Sequence, residues 1–476
     1  MLMTRNIIAA TDCYKFSHPF VVRRDATSAT SYIEARGGWT NEVVFFGIQA
    51  FIREYLNRRL TMKVIDREER KAKSAMVPFN RVMWERVVME FDGFVPVKVQ
   101  ALPEGTVVRP GTVVVQISSD IMPEIVADIE TSLLRAIWYP STVATLSRAI
   151  KKNIRNYYIA TSDLDVNNPM TLACALNDFG ARGTSSGESA ALGGLAHAIN
   201  FLGSDTFEAI DAAIDYYDHD LDRDGPVIIS VPATEHSVTT MNGEDGECDF
   251  AGRVIDTFTE MGFPIISIVA DSFDLDRFVS DYIGTALKEK IETRDGWIVV
   301  RPDSGVPEEI VPHVLRLLDD KFGSTVNSKG FKVLNPKVRV IQGDGVNRDS
   351  IDRILEAMMV AGFSAENVVF GMGGQLLQAP MRDDFSWAMK TNEIVVDGEK
   401  IDVQKRPKTD MSKASKAGRQ AVVFNGKELV SIRESDLIKA NARGGHGVRN
   451  WLELVWDTGK VYRTQTFAEV RANAKL

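Results

Sequence analysis

From about residue 172 to residue 384 the chain repeats one rhythm: a short apolar run, a polar or glycine-rich turn, a helical stretch, then another apolar run. Candidate strands fall at 227–231, 264–270, 297–300, 338–342 and 367–370. Their ends lie about 28 to 42 residues apart, the length of chain that one strand–helix unit of a parallel sheet consumes. Each candidate strand runs at once, or within a few residues, into groups suited to chemistry: Glu235-His236, Asp271-Ser272, Arg301-Pro302-Asp303-Ser304-Gly305, Gly343-Asp344-Gly345 and Gly371-Met372-Gly373-Gly374. In a parallel barrel all strand C-termini open onto one face, so groups spread over roughly 140 residues converge there. A doubly wound sheet gathers fewer of them at its single crevice, which makes a parallel α/β barrel the expected fold.

Outside this stretch the pattern changes. Between 95 and 118, short β-branched runs alternate with Pro103-Glu104-Gly105 and Pro110-Gly111 turns, as in a small antiparallel unit. Helical periodicity flanks it at 47–59 and 122–158, the second with a break expected at Pro140. Beyond 392 the chain reads as strands and turns around a Lys-rich loop, 405–419, whose default reading is a solvated loop. The expected organisation is an N-terminal α+β domain at 1–160, the barrel at 161–385, and a C-terminal segment at 386–476 that returns to the α+β domain.

At 476 residues, 44% of them hydrophobic and 25% charged, the chain is long enough for more than one core and too apolar for disorder. A net charge of -9 with no long basic run argues against a nucleic-acid partner. The three cysteines, Cys13, Cys174 and Cys248, lack the paired spacing of a zinc or redox site. The apolar stretch 7–10 is too short for a signal peptide or a membrane span, so the expectation is a cytoplasmic chain with no membrane partner.

Several groups point to a polyanion. Gly371, Gly373 and Gly374 sit between a strand and a helical run, where backbone N–H groups can grip a phosphate, although a tight turn with no ligand explains the glycines alone. Ser185 and Glu188 read as a capping box that opens a helix through Leu192, Leu195 and Ile199. Arg182 then lies just ahead of a helix N-terminus and suits diphosphate; the competing reading pairs it structurally with Asp178. Arg301 and Asp303 place a cation and a carboxylate side by side, one for phosphate oxygens and one for a hydrated Mg²⁺, with Asp271 and Asp344 available to extend an acidic ring. His236 can serve as nucleophile or acid–base group once a carboxylate fixes its tautomer, or be a satisfied structural histidine.

Seven segments in order resemble the nicotinamide phosphoribosyltransferase family of type II phosphoribosyltransferases: 6–15 with Asp12 and Tyr14, 178–183, 203–206, 230–237, 301–305, 340–345 and 370–378. The resemblance implies an irregular TIM-like α/β barrel packed on an α+β domain and a homodimer with shared active sites. It implies synthesis of nicotinamide mononucleotide and pyrophosphate from nicotinamide and phosphoribosyl pyrophosphate, with Mg²⁺, and with ATP as an optional substrate coupled through phosphorylated His236. By the same resemblance, Phe179 and the partner subunit's Tyr14 sandwich the pyridine ring, Asp205 accepts from the carboxamide, and Asp12 joins the substrate-binding set. Arg182 and Arg301 hold diphosphate, Asp303 and Asp271 organise Mg²⁺, and Gly343, Asp344, Gly373, Gly374 and the partner subunit's Arg382 hold the ribose and its 5-phosphate. Arg36, Lys390, Lys405 and Lys413 are further phosphate contacts. Met372 departs from the animal members, which carry a small hydroxyl residue there. The nearest alternative is nicotinate phosphoribosyltransferase; a phosphate-gripping barrel aldolase or isomerase and a catalytically silent ligand-binding protein stand behind it.

Overall fold

In the computed structural model, which describes residues 6–409, 414–443 and 447–476, the chain divides into two units. One holds the chain up to Thr145 together with Ala213–His219 and Met381–Lys475; the other holds Leu146–Ala212 and Asp220–Pro380.

The second unit is built on five parallel strands in the order Leu176–Asp178, Val368–Met372, Val338–Gln342, Trp297–Arg301 and Ile265–Val269. The arc continues through single parallel bridges, Asp178 to Ser204, Gly203 to Ile229, and Ala233 to Ser267, which give the barrel its irregular character. The expected strand at 227–231 is thus reduced to the bridge at Ile229, between Pro226 and Pro232, whose missing N–H groups cannot extend a ladder. Helices Gly187–Ala198, Glu247–Glu260, Pro307–Phe322 and Arg348–Val360 alternate with the strands. Alternation along the strands sorts side chains by face. Ile266, Ile268, Ile298, Val300, Val338 and Val340 are buried at 1% exposure or less, whereas Ser267, Val299, Arg301, Arg339 and Ile341 line a cavity of about 580 Å³.

The first unit carries a seven-stranded antiparallel sheet in the order Glu399–Asp402, Ala388–Val396, Ala26–Glu34, Val113–Ser119, Lys98–Ala101, Glu453–Asp457 and Lys460–Val461. Its long strand Ala26–Glu34 pairs with Ala388–Val396 in a register that sets Tyr32 opposite Lys390. The short stretch Ala213–His219 is tied into this unit by Tyr217, whose hydroxyl donates to Glu104 Oε2 at 2.9 Å, and by Gln49 Nε2, which donates to the Tyr216 carbonyl at 2.6 Å.

Three expectations need correction. The helix Glu130–Thr161 runs through Pro140 without a break. Its wall is welded to the neighbouring strand: Ser141 Oγ exchanges hydrogen bonds with Phe46 N and O at 3.0 Å, and Thr145 Oγ1 accepts from Val44 N at 2.9 Å. Such tertiary contacts offset the roughly 3 kcal/mol cost of an interior proline. The Lys-rich loop is not simply solvated: Lys416 pairs with buried Glu34, and Arg419 Nη2 donates to Gln100 Oε1 at 2.6 Å. The C-terminal segment also holds helices, Glu434–Ala442 and Phe467–Asn473, the latter opened by a Thr466–Glu469 capping box. Among the described residues no helix is long and apolar enough to cross a membrane.

Candidate active site

The strand ends of the barrel unit bring one group of chemistry-bearing residues together. His236 begins the short helix His236–Thr240, and its ring is gripped at both nitrogens. Nδ1 lies 3.0 Å from Ser272 Oγ; Nε2 lies 3.3 Å from Asp303 Oδ2 and 3.8 Å from Asp271 Oδ1. The carboxylates on the Nε2 side favour a proton there, leaving Nδ1 to accept from the Ser272 hydroxyl. Asp271 also accepts the Asp303 N–H on Oδ2 at 3.0 Å, while its Oδ1 is buried with no hydrogen-bond partner among the described residues. Arg301 Nε lies 3.7 Å from Asp303 Oδ1, beyond hydrogen-bond reach, and is likewise buried without a hydrogen-bond partner among them.

Arg182 is not paired with Asp178. Its Nη1 lies 3.7 Å from Glu235 Oε2, with 87% of its side chain exposed. The Ser237 hydroxyl, followed by Arg182 and Arg301, holds the Glu235 carboxyl below its usual range. The helix behind Arg182 is capped by Ser186, which accepts from Ser189 N at 3.1 Å; Ser185 instead donates its N–H to Gln378 Oε1 at 3.0 Å. That bond, with Gly183 packed so tightly on Gly374 that a Cβ would lie 3.1 Å from its Cα, joins the arginine loop to the glycine loop.

The glycine-rich turn follows Val368–Met372 and leads into only four helical residues, Gly374–Leu377. Gly371 has a steric reason to be glycine: a Cβ there would lie 2.0 Å from the Phe179 ring. Gly343 is close to the same ring, at 3.4 Å, and to Asp303 Oδ1, at 3.6 Å, from its own virtual Cβ. Met372 is 1% exposed and gives its carbonyl to the Phe179 N–H at 3.0 Å, so its side chain is part of the core and not of a phosphate loop. Asp344 has an exposed side chain, and its carbonyl accepts from Gln342 Nε2 at 2.8 Å. Phe179, Asp205 and Arg301 all line the 580 Å³ cavity, and the Asp205 carboxylate is oriented by the Ser230 hydroxyl at 2.5 Å.

The remaining expected residues lie in the antiparallel unit. Asp12, Tyr14 and Arg382 line one shallow cleft of about 340 Å³ with Lys15, Glu130 and Trp138. The segment bearing Tyr14 is anchored by Lys15 Nζ to Glu130 Oε2 at 2.6 Å and by Thr131 Oγ1 to Asp12 Oδ2 at 2.7 Å. Tyr14 itself is 61% exposed. Arg36 keeps Nε and Nη2 buried without hydrogen-bond partners among the described residues. Burial, with Arg36, Lys405 and Lys15 adding and Glu130 opposing, lowers the Lys390 ammonium below its usual range, so these four cations share one electrostatic neighbourhood. Lys413 lies outside the described residues.

Sequence reasoning left three contributors without a role: Ser272 on His236, Ser230 on Asp205, and Glu235 opposite Arg182. All three stand inside or beside the motifs, but only side-chain distances reveal what they hold.

Comparison with known proteins gives a consistent answer. The sequence profile of the nicotinate phosphoribosyltransferase (NAPRTase) family matches residues 174–443, and that of the nicotinamide phosphoribosyltransferase N-terminal domain matches residues 6–99. A Xanthomonas campestris protein named nicotinamide phosphoribosyltransferase is 40% identical over 98% of both chains. An Acinetobacter baylyi protein of the same name is 30% identical over 98% of this chain and 96% of its own. Among solved structures, the Pyrococcus furiosus nicotinate-nucleotide pyrophosphorylase shares the fold, with a TM-score of 0.62 at 16% identity over 100% of this chain and 96% of that one. Human nicotinic acid phosphoribosyltransferase does so with a TM-score of 0.55 at 16% identity over 98% and 92%.

Proposed function

This chain belongs to the nicotinate phosphoribosyltransferase family, and we propose that within it the base it takes is nicotinamide. The pyridine nitrogen attacks C1 of phosphoribosyl pyrophosphate, the bond from C1 to the diphosphate oxygen breaks with both electrons leaving on diphosphate, and nicotinamide mononucleotide forms for NAD salvage. The nucleophile carries no proton, so no base has to remove one. What the reaction needs is charge stabilisation on the leaving group and alignment of the two reactants.

The observation that carries nicotinamide is the placement of Asp205 beside Phe179 on the barrel cavity. A carboxylate accepts and cannot donate, so it welcomes an amide NH₂ and repels the carboxylate of nicotinate. Arg301 lines the same cavity and is the feature that favours nicotinate, but its guanidinium neighbours Asp303 and suits diphosphate on this reading. Arg182, whose exposed side chain lies beside Glu235, is the second diphosphate cation, and the Gly343–Asp344 and Gly373–Gly374 turns receive the ribose and 5-phosphate.

The residues fit magnesium. Asp271 Oδ1 is a buried oxygen with no partner, and Asp303 stands on the same side of His236. Two such carboxylates are the donor set expected for Mg²⁺, which binds through one or two carboxylates and completes its shell with water and substrate oxygens. When bound, the ion supplies positive charge to the diphosphate.

The homodimer, with the partner subunit's Tyr14 across the ring from Phe179 and the partner subunit's Arg382 at the 5-phosphate, is part of the proposal. So is ATP coupling through His236, for which the ring is held by Ser272 and two carboxylates. The test is nicotinamide mononucleotide synthesis measured with and without ATP on wild type and His236→Ala. ATP accelerates the wild type, and the ratio of the two rates falls to one in the variant; equal acceleration of both proteins would remove His236 from the coupling.

A further inference from the structure

Asp178 takes no part in the chemistry above, yet both proposed pyridine contacts are built from it. It closes the strand Leu176–Asp178 with 0% exposure. Its Oδ1 accepts the Gly180 N–H at 2.7 Å, which fixes the turn that presents Phe179. Its carbonyl accepts the Asp205 N–H at 2.8 Å, and its own N–H donates to the Gly203 carbonyl at 3.1 Å. One residue therefore ties the turn under the ring to the loop under the carboxylate.

We propose that Asp178 is a positioning residue that sets the relation between the Phe179 ring and the Asp205 carboxylate, and through it the affinity for the pyridine substrate, without touching that substrate. The inference rests on reading Phe179 and Asp205 as the pyridine contacts. A neutral side chain would fill the same space at lower cost, because an ionised carboxylate out of water is expensive. Burial pushes Asp178 up to about 6, and the nearby Asp205 adds to the rise, while Thr206, the Gly180 N–H and Ser204 act in the opposite direction. Thr206, the Gly180 N–H and Ser204 all steady the carboxylate, and the Gly180 bond at 2.7 Å is the one that ties it to the turn bearing Phe179. Charge strengthens that bond, which is what an acid supplies and an amide does not.

Asp178→Asn keeps an oxygen for the Gly180 N–H and removes the charge. The expected result is a roughly tenfold rise in KM for nicotinamide, with KM for phosphoribosyl pyrophosphate within about twofold of wild type, since a misplaced contact costs affinity only for the group it holds. Thr206→Val, which leaves the acid in place and alters only its surroundings, raises the same constant by about threefold and serves if the first variant does not fold. An unchanged nicotinamide KM, or an equal shift of both substrates' constants, overturns the positioning role. A wild type that does not turn over nicotinamide defeats the reading of Phe179 and Asp205 itself, and the inference falls with it.

Discussion

Each unit of the molecule holds an arginine whose buried Nε has no hydrogen-bond partner among the described residues and lies 3.7 Å from a carboxylate: Arg301 beside Asp303 in the barrel, Arg36 beside Glu34 in the antiparallel unit. Their surroundings differ. Arg301 stands with Asp303, Asp271 and Glu235 near His236, a mixed field in which a diphosphate, a divalent cation and a histidine can meet. Arg36 shares its neighbourhood with Lys390, Lys405 and Lys15, and the acid beside it, Glu34, is already claimed by Lys416. Nitrogens left unpaired in a buried place are costly unless an anion completes them. On the proposed reading the barrel site meets charge that develops during reaction, and the antiparallel cluster meets phosphate charge that is constant throughout.

The largest expected effect follows from that contrast. Asp303→Ala lowers kcat/KM by roughly 10³, mainly in kcat, because a group acting on transition-state charge is lost. Arg36→Ala costs about tenfold and shows in KM for phosphoribosyl pyrophosphate, as expected when uniform binding is removed. Steady-state kinetics on both variants separate the two, and a kcat loss in Arg36→Ala matching that in Asp303→Ala breaks the distinction. Next comes Gly371→Ala, whose Cβ 2.0 Å from the Phe179 ring forces the ring to move. A displacement of that order costs roughly 10², and it is read in nicotinamide KM; a normal KM means the ring is not the wall of the base site.

A different test, on stability and not on turnover, concerns two buried groups that titrate in opposite senses. His197, gripped by Ser147 Oγ at 2.9 Å and the Gly203 carbonyl at 3.1 Å, is lowered to about 4, chiefly by burial with Lys151 adding and the Gly203 carbonyl opposing. Its contribution is complete above its ordinary pKa of 6.5 and is lost as pH falls towards 4. Asp178, raised from 3.8 to about 6, contributes most below 3.8 and loses that contribution as pH rises through 6. Each amounts to about 3 kcal/mol. Urea denaturation at pH 5 and 7.5 checks the signs: wild type loses ground to Asp178→Asn on going up, and to His197→Gln on going down. Parallel movement of the two variants contradicts the assignment.

Legibility in the sequence followed the same divide. The strand expected at 338–342 is Val338–Gln342, because an apolar run between turn signals is a local property. Leu176–Asp178 was too short to register, and 227–231 looked like a strand while supplying only one bridge at Ile229. Asp271 and Asp303, which face His236, are readable because each follows a regular strand, Ile265–Val269 and Trp297–Arg301. Arg36 and Lys390 were not readable from spacing, since they meet through a strand pairing that sets Tyr32 opposite Lys390 across the length of the chain. The family resemblance supplied them instead. Hydroxyl partners such as Ser272 and Ser230 depend on distances of about 3 Å that no periodicity encodes.

If Asp205 selects nicotinamide, kcat/KM for nicotinamide and for nicotinate on wild type and Asp205→Asn shows it most directly. The expected wild-type preference for nicotinamide is about 10² or more, narrowing by at least about tenfold in the variant as the carboxylate's repulsion is removed. A wild type that prefers nicotinate, or a preference untouched by Asp205→Asn, would contradict it.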